Sequence, residues 1–121
     1  MKKILVIDDE SSTGEIIQDF LSDLGYQTLI ATDAKRGMEL VELENPDLIL
    51  LYILMPGISG LECLRRIKSM KPDAIVVVVS GLKEEETAKE AIRGGAYDYL
   101  TKPFDLSYLQ SDLLARIFPN H

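Results

Sequence analysis

Two adjacent carboxylates, Asp8 and Asp9, directly follow the apolar run Ile4–Ile7. Residues of this type at this spacing could bind a metal ion. Adjacent carboxylates repel, and each raises the pKa of the other unless a cation relieves them. Such hard oxygen ligands suit Mg²⁺, which keeps several waters and often carries a phosphate. The hydroxyl of Ser80 and the ammonium of Lys102 follow later apolar runs. Because both groups suit phosphate oxygens, these residue types indicate chemistry on a phosphoryl group beside Mg²⁺.

The elements that must position these residues can be predicted from the apolar pattern. Three runs lack polar alternation, as strands buried on both faces do, and two weaker runs also fit strands. The five predicted strands are Ile4–Ile7, Thr28–Ala31, Leu48–Leu51, Ala74–Val79 and Tyr97–Leu100. Apolar stripes at helical spacing fill the gaps, including stripes with Ile16, with Ile92 and with Leu106, Leu109, Leu113 and Ile117. Helix starts are predicted at Ser12, Asp33, Ser59 and Asp105.

Strict alternation of strand and helix predicts a doubly wound α/β fold with a parallel sheet and right-handed crossovers. In such sheets the ligand crevice lies at the carboxyl ends of the strands. We therefore expect the residues that follow or end successive strands to meet on one rim. They are Asp8, Asp9, Glu10, Tyr52, Ser80 and Lys102.

Length and charge narrow the classes of function. The 121 residues fit one domain, which we take to be 1–121. The net charge of −7 argues against direct nucleic-acid binding, which needs a basic face. The apolar run Leu48–Met55 is too short to span a membrane, the N-terminus does not resemble a secretory signal, and the one cysteine, Cys63, cannot form an internal disulfide. These features favour a cytoplasmic protein with Cys63 as a small buried apolar residue.

Five motifs in this order resemble the CheY-like receiver domain of two-component response regulators. The resemblance covers essentially the whole chain and implies a five-stranded sheet of order 2-1-3-4-5 with helices on both faces. It also implies a signalling domain in a phosphorelay and no enzyme. The last motif is most similar to receivers of the NtrC-like branch. The motifs are Ile4–Glu10, Pro46–Leu51, Met55–Gly57, Ser80–Gly81 and Gly95–Phe104.

The resemblance also assigns roles to individual residues. Asp9 would bind Mg²⁺ directly, Asp8 largely through water, and the backbone carbonyl of Leu54 would be a further ligand. Ser80 would be the hydroxyl that moves to meet the phosphoryl group. Lys102 would pair with that group and precede a cis peptide bond to Pro103, which is plausible because the following residue is proline. Tyr99 would be the aromatic switch that rotates between inward and outward positions.

One position departs from the family. Where receivers carry the aspartate that accepts a phosphoryl group, this chain has Tyr52. A phenol cannot form an acyl phosphate, and with a pKa of about 10 it is a poor nucleophile near neutral pH. One of three metal-binding carboxylates is also lost, so Mg²⁺ binding should be weak. We predict that normal aspartyl phosphorylation is blocked, and that the longer ring either fills the pocket above Asp9 or swings out of it.

Several explanations of Tyr52 stay open at this point. The chain is an atypical receiver that signals without phosphate, a recent or engineered variant of an ordinary receiver, or a protein phosphorylated elsewhere. The intact Asp8, Asp9, Ser80 and Lys102 favour the second. The alternative function is a phosphorylation-independent pseudo-receiver that acts as a protein-binding module. An FMN binder is disfavoured because acids precede the Ser11–Gly14 loop, and an aspartate-nucleophile phosphatase because its two acids are not adjacent.

The resemblance further implies partners. A sensor histidine kinase or phosphotransfer protein would dock near the first helix. Output would pass through the fourth helix, fifth strand and fifth helix to an output domain, an effector protein or a second copy of the chain. The fourth helix has a thin apolar stripe, which fits a mobile face.

Overall fold

The computed structural model describes residues 2–53, 59–81, 85–101 and 105–119. The predicted contributions of Leu54, Lys102 and Pro103 lie outside these residues, as do Met55–Gly57 and the end of the Gly95–Phe104 motif. The strands are β1 (Lys3–Ile7), β2 (Gln27–Ala31), β3 (Leu48–Tyr52), β4 (Val76–Ser80) and β5 (Asp98–Thr101). The first four helices are α1 (Ser11–Asp23), α2 (Ala34–Glu44), α3 (Gly60–Met70) and α4 (Glu85–Arg93).

The five strands form one parallel sheet of order β2-β1-β3-β4-β5. The prediction of a doubly wound α/β fold with this order is thus confirmed. The central strands are buried on both faces, which explains why their sequences are continuously apolar instead of alternating. None of the described helices is both long enough and apolar enough to cross a bilayer.

The sheet separates two apolar cores. One lies beneath α2, α3 and α4 and includes Leu51 and Cys63. The other lies beneath α1 and the last helix and includes Leu50 and Tyr52. Because successive strand residues point to opposite faces, the neighbours Leu51 and Tyr52 belong to different cores. This alternation sends the Tyr52 side chain towards α1 and the last helix.

Helix caps explain most of the helix starts. The side chains of Asp33, Ser59 and Asp105 accept hydrogen bonds from backbone amides of the first turn, at 2.7, 3.1 and 2.9 Å, as predicted. The predicted cap at Ser12 is wrong, because α1 already begins at Ser11. Its N-cap residue is Glu10, which makes no capping hydrogen bond through its side chain.

The last helix, α5, departs from a regular α-helix. Its segments are α-helical Leu106–Tyr108, π-helical Leu109–Leu114 and α-helical Ala115–Ile117. Of the predicted stripe, Leu109 and Leu113 are buried and Leu106 and Ile117 are partly buried, and Leu114, which the stripe did not include, is also buried. Two other stripe residues were predicted wrongly: Ile16 and Ile92 are 62% and 50% exposed, because each lies at the margin of its helix's buried face.

Candidate functional site

The carboxyl ends of the strands enclose a cavity of about 330 Å³. The structure brings five of the residues predicted for the rim together around it: Asp8, Asp9, Glu10, Tyr52 and Ser80. The other lining residues that the structure describes are Ile53, Val79 and Gly81. Three neighbouring strands place the site because β1 ends just before Asp8, β3 ends at Tyr52 and β4 ends at Ser80. The crevice therefore lies at the sheet edge that parallel α/β topology favours.

Asp8 and Asp9 differ in environment although they are adjacent. Asp8 is 1% exposed, its backbone amide donates to the Ala31 carbonyl at 2.9 Å, and its Oδ1 accepts from the Glu10 amide at 3.1 Å. Asp9 is exposed to solvent. The buried carboxylate is thus fixed by backbone contacts, whereas its neighbour faces the open side of the cavity.

Tyr52 occupies the interior of the site. Its side chain is 3% exposed, so of the two orientations considered for the ring the outward one is not observed. In register it lies beside Val79 on β4, one residue before Ser80, which is 2% exposed. Burial raises the pKa of the Tyr52 phenol well above its usual range, and the negative charges of Asp8 and Glu10 raise it further. The phenol is therefore neutral near physiological pH.

Glu10 had no role of its own in the sequence-based interpretation, yet its carboxylate contributes to the electrostatics of the phenol. Ile53 and Val79 were not predicted as lining residues, and Gly81 was predicted only as part of the Ser80–Gly81 motif. The signal that could have identified them is position: each is adjacent to the last residue of β3 or β4. A prediction that included the residues on both sides of each strand end would have contained Ile53, Val79 and Gly81.

Tyr99 does not line this cavity. It lies on β5 opposite Val78, and its half-buried side chain packs against the core beneath α2, α3 and α4, which contains Ala91 and Ala96. Its connection to the site is therefore indirect, through the neighbouring strand β4 that ends in Ser80. Cys63, another buried ionisable group, lies in the same core, and burial raises the pKa of its thiol to about 11.

The acidic side of the cavity offers the donor types that suit a hard cation, one buried carboxylate and one exposed. Among the described residues, no group of three Asp, Glu, His or Cys side chains is arranged to hold a metal ion. The two carboxylates are donors of the type that suits a magnesium ion, which keeps several of its waters.

Comparison with known proteins gives a consistent result. A model of the response regulator receiver domain family matches residues 4–114. A probable C4-dicarboxylate response regulator, DctR of Bacillus subtilis, is 35% identical over 92% of this chain and 50% of its own length. The transcriptional regulatory protein ZraR of Escherichia coli is 35% identical over 98% of this chain and 27% of its own length. The chain thus spans half or less of these curated relatives.

A solved structure supports the same relationship. The crystal structure of a CheY-like response regulator receiver domain protein from Methanospirillum hungatei superposes with a TM-score of 0.91 at 26% sequence identity. The superposition covers 97% of this chain and 94% of that one. Both the sheet and the surrounding helices are therefore shared.

Proposed function

The chain belongs to the response regulator receiver domain family, and we propose that Tyr52 occupies the position of the family's phosphoacceptor aspartate. On this proposal the chain is a regulatory domain of a two-component system, not an enzyme, and cannot be phosphorylated by the usual aspartyl route. The observation that carries the proposal is the buried Tyr52 phenol at the end of β3, beside Ser80 and the acidic residues after β1.

The chemistry of the phenol supports the proposal that aspartyl phosphorylation is blocked. Transfer to an aspartate joins the phosphoryl phosphorus to a carboxylate oxygen and releases the donor's leaving group, which gives an acyl phosphate. Tyr52 has no carboxylate. Its phenol would have to lose a proton to attack, but burial and the charges of Asp8 and Glu10 hold that proton in place. The same negative charges would oppose an anionic donor that approached the ring.

We assign the remaining roles from the family. Asp9 would bind Mg²⁺ directly, Asp8 largely through water, and the Leu54 carbonyl would complete the protein ligands. When bound, Mg²⁺ would offset the negative charge of the acidic residues and of an incoming phosphoryl group. Binding should be weak, because the neutral phenol replaces a carboxylate and charge count sets affinity for hard cations.

The residues of the switch are proposed in the same way. Ser80 would meet the phosphoryl group, and Lys102, before a cis bond to Pro103, would pair with it. Tyr99 would change its position between the two states. The packing of Tyr99 against the core that contains Ala91 of α4 supports this role, because it links β5 to α4.

We propose the following setting for the domain. Residues 1–121 would form one receiver domain in the cytoplasm, and a sensor histidine kinase or phosphotransfer protein would be its upstream partner. Output passes through α4, β5 and α5 to an output domain, an effector or a second copy. Exposed apolar side chains on this face, Ile92, Tyr97 and Tyr108, support the assignment. The identity with ZraR supports a place in the NtrC-like branch.

Replacement of Tyr52 tests the proposal directly. The unaltered chain, Tyr52→Asp and Tyr52→Asn are incubated with acetyl phosphate and Mg²⁺, and covalent phosphate is measured by intact-protein mass spectrometry. We expect a hydroxylamine-sensitive adduct only in Tyr52→Asp, since Asn matches the size of Asp without its carboxylate. An adduct on the unaltered chain would contradict the block, and no adduct on Tyr52→Asp would contradict the assignment of the position.

A pseudo-receiver that binds a protein partner without phosphate is the second candidate. The observation that favours it is that Tyr52 is part of the apolar core beneath α1 and α5 and so belongs to the folded structure of the domain. Failure of Tyr52→Asp to become phosphorylated while it stays folded would favour this candidate.

A further inference from the structure

The two outer strands of the sheet, β2 and β5, each have one unpaired edge. On β2, the Gln27 amide donates to the Lys2 carbonyl and the Ala31 carbonyl accepts from the Asp8 amide, both at 2.9 Å. In a parallel ladder, alternate residues direct their amide and carbonyl to opposite sides of the strand. The backbone groups of Thr28 and Ile30 therefore point away from β1, towards the open edge.

A side chain from α1 reaches this edge. Gln18 is half-buried, and its Nε2 donates a hydrogen bond to the Thr28 carbonyl at 3.2 Å. The same carbonyl is one of the groups that another strand would need in order to pair with β2. Gln18 thus occupies the position that the amide of a partner strand would take at Thr28.

The geometry of α1 explains why Gln18 reaches this carbonyl. Gly14, one helical turn before Gln18, lies so close to β2 that a Cβ there would be 3.4 Å from Ile30 Cγ2. Four helical residues rise about 6 Å, and two strand residues rise about 6.6 Å. Since Gly14 lies against Ile30, Gln18 lies beside Thr28, within reach of the Thr28 carbonyl.

The open edges of β2 and β5 differ in how they are protected against pairing with another strand. Charged residues, proline and covering side chains are the usual means by which a sheet edge avoids pairing with another chain. On β5, Asp98 carries a charge and pairs with Arg116 of α5, with Oδ2 and Nη2 3.1 Å apart. The β2 segment Gln27–Ala31 contains neither a charged residue nor a proline. The side chain that covers the β2 edge, Gln18, is neutral.

We propose that the hydrogen bond of Gln18 to Thr28 prevents the β2 edge from pairing with β2 of a second copy of this chain. Two copies of β2 can pair antiparallel about a two-fold axis, because the same strand then serves as both partners. Such pairing would join two five-stranded sheets through the outward groups of Thr28 and Ile30. The Gln18 amide competes for the Thr28 carbonyl and prevents it.

The variant Gln18→Ala tests this inference by removing the amide. Sedimentation is measured over a roughly hundredfold range of protein concentration at about 0.15 M ionic strength, where repulsion between chains of charge −7 is screened. We expect self-association at least about tenfold tighter than that of the unaltered chain, which corresponds to about 1.4 kcal/mol. The matched control is Gln110→Ala, which removes an exposed glutamine from α5.

Two further measurements separate edge pairing from a loss of stability. In associated Gln18→Ala, the amides of Thr28 and Ile30 should exchange hydrogen more slowly, whereas destabilisation would speed their exchange. Adding Gln27→Lys, which places a charge on the exposed start of β2, should reverse the association. The inference is overturned if Gln18→Ala associates no more than Gln110→Ala, or if its association leaves these two amides unprotected.

Discussion

At the scale of single residues, Tyr52 brings a neutral, buried phenol into a cavity that is also lined by acidic residues and Ser80. Its position at the end of β3 could be predicted from the apolar run that precedes it, and so could the lack of a carboxylate. Its orientation could not, because a long ring can lie inside or outside a crevice with the same backbone. Packing against the core beneath α1 and α5 decides between the two.

The ionisation of Tyr52 gives a stability prediction. The folded state holds its phenol neutral, whereas in the unfolded chain it ionises near pH 10. Above that pH the unfolded state binds fewer protons than the folded state, so the free energy of unfolding should fall as pH rises. We expect Tyr52→Phe to make this fall shallower, as measured by urea denaturation from pH 8 to pH 11.

The matched control for this prediction is Tyr97→Phe, because Tyr97 is 43% exposed. Its profile should follow that of the unaltered chain. Burial also raises the pKa of Tyr26, so part of the fall should persist in Tyr52→Phe. Identical slopes for Tyr52→Phe and the unaltered chain would show that the buried phenol does not influence alkaline stability.

At the scale of elements, the close approach of α3 to β3 fixes the start of α3. The Gly60 amide donates to the Ile53 carbonyl at 3.0 Å, and a Cβ at Gly60 would lie 2.4 Å from Ile53 Cα. Because the obstructing atoms are backbone, they cannot rotate away. Gly60 is therefore needed for α3 to begin directly beside the end of the strand that carries Tyr52.

Gly60→Ala should consequently lower the free energy of unfolding, by about 1–3 kcal/mol on the scale of overpacked sites. The measurement is the midpoint of urea denaturation. Gly81→Ala is the matched control, since among the described residues no atom beyond its chain neighbours lies within 4 Å of the position of its Cβ, and it should change stability by less than about 0.5 kcal/mol. Equal effects of the two substitutions would refute the proposed close contact.

Element boundaries show what the sequence can predict and what it cannot. The caps at Asp33, Ser59 and Asp105 were predicted because a short polar side chain can reach the first-turn amides locally. The N-cap of α1 was predicted two residues late, at Ser12 instead of Glu10, and the π-helical part of α5 was not anticipated. Both depend on how each helix packs against the sheet. Contacts between distant elements, such as that of Gln18 with Thr28, have no local sequence signal.

At the scale of the whole molecule, the order of the strands and the place of the site follow from topology. Strict strand–helix alternation predicted the parallel sheet, and the parallel sheet predicted a crevice at its carboxyl edge. The observed cavity lies there and brings together residues from the ends of β1, β3 and β4. The chain thus has the architecture of a receiver domain, with Tyr52 at the carboxyl end of its third strand.

The most direct measurement of the central claim is an amide NMR titration with Mg²⁺ and the acyl-phosphate mimic beryllofluoride, applied to this chain and to Tyr52→Asp. We expect Tyr52→Asp to show Mg²⁺-dependent shifts around Ser80 and Tyr99, and the unaltered chain to show none. Shifts in the unaltered chain would contradict the claim that Tyr52 blocks the site. An absence of shifts in both proteins would contradict the claim that Tyr52 alone is responsible.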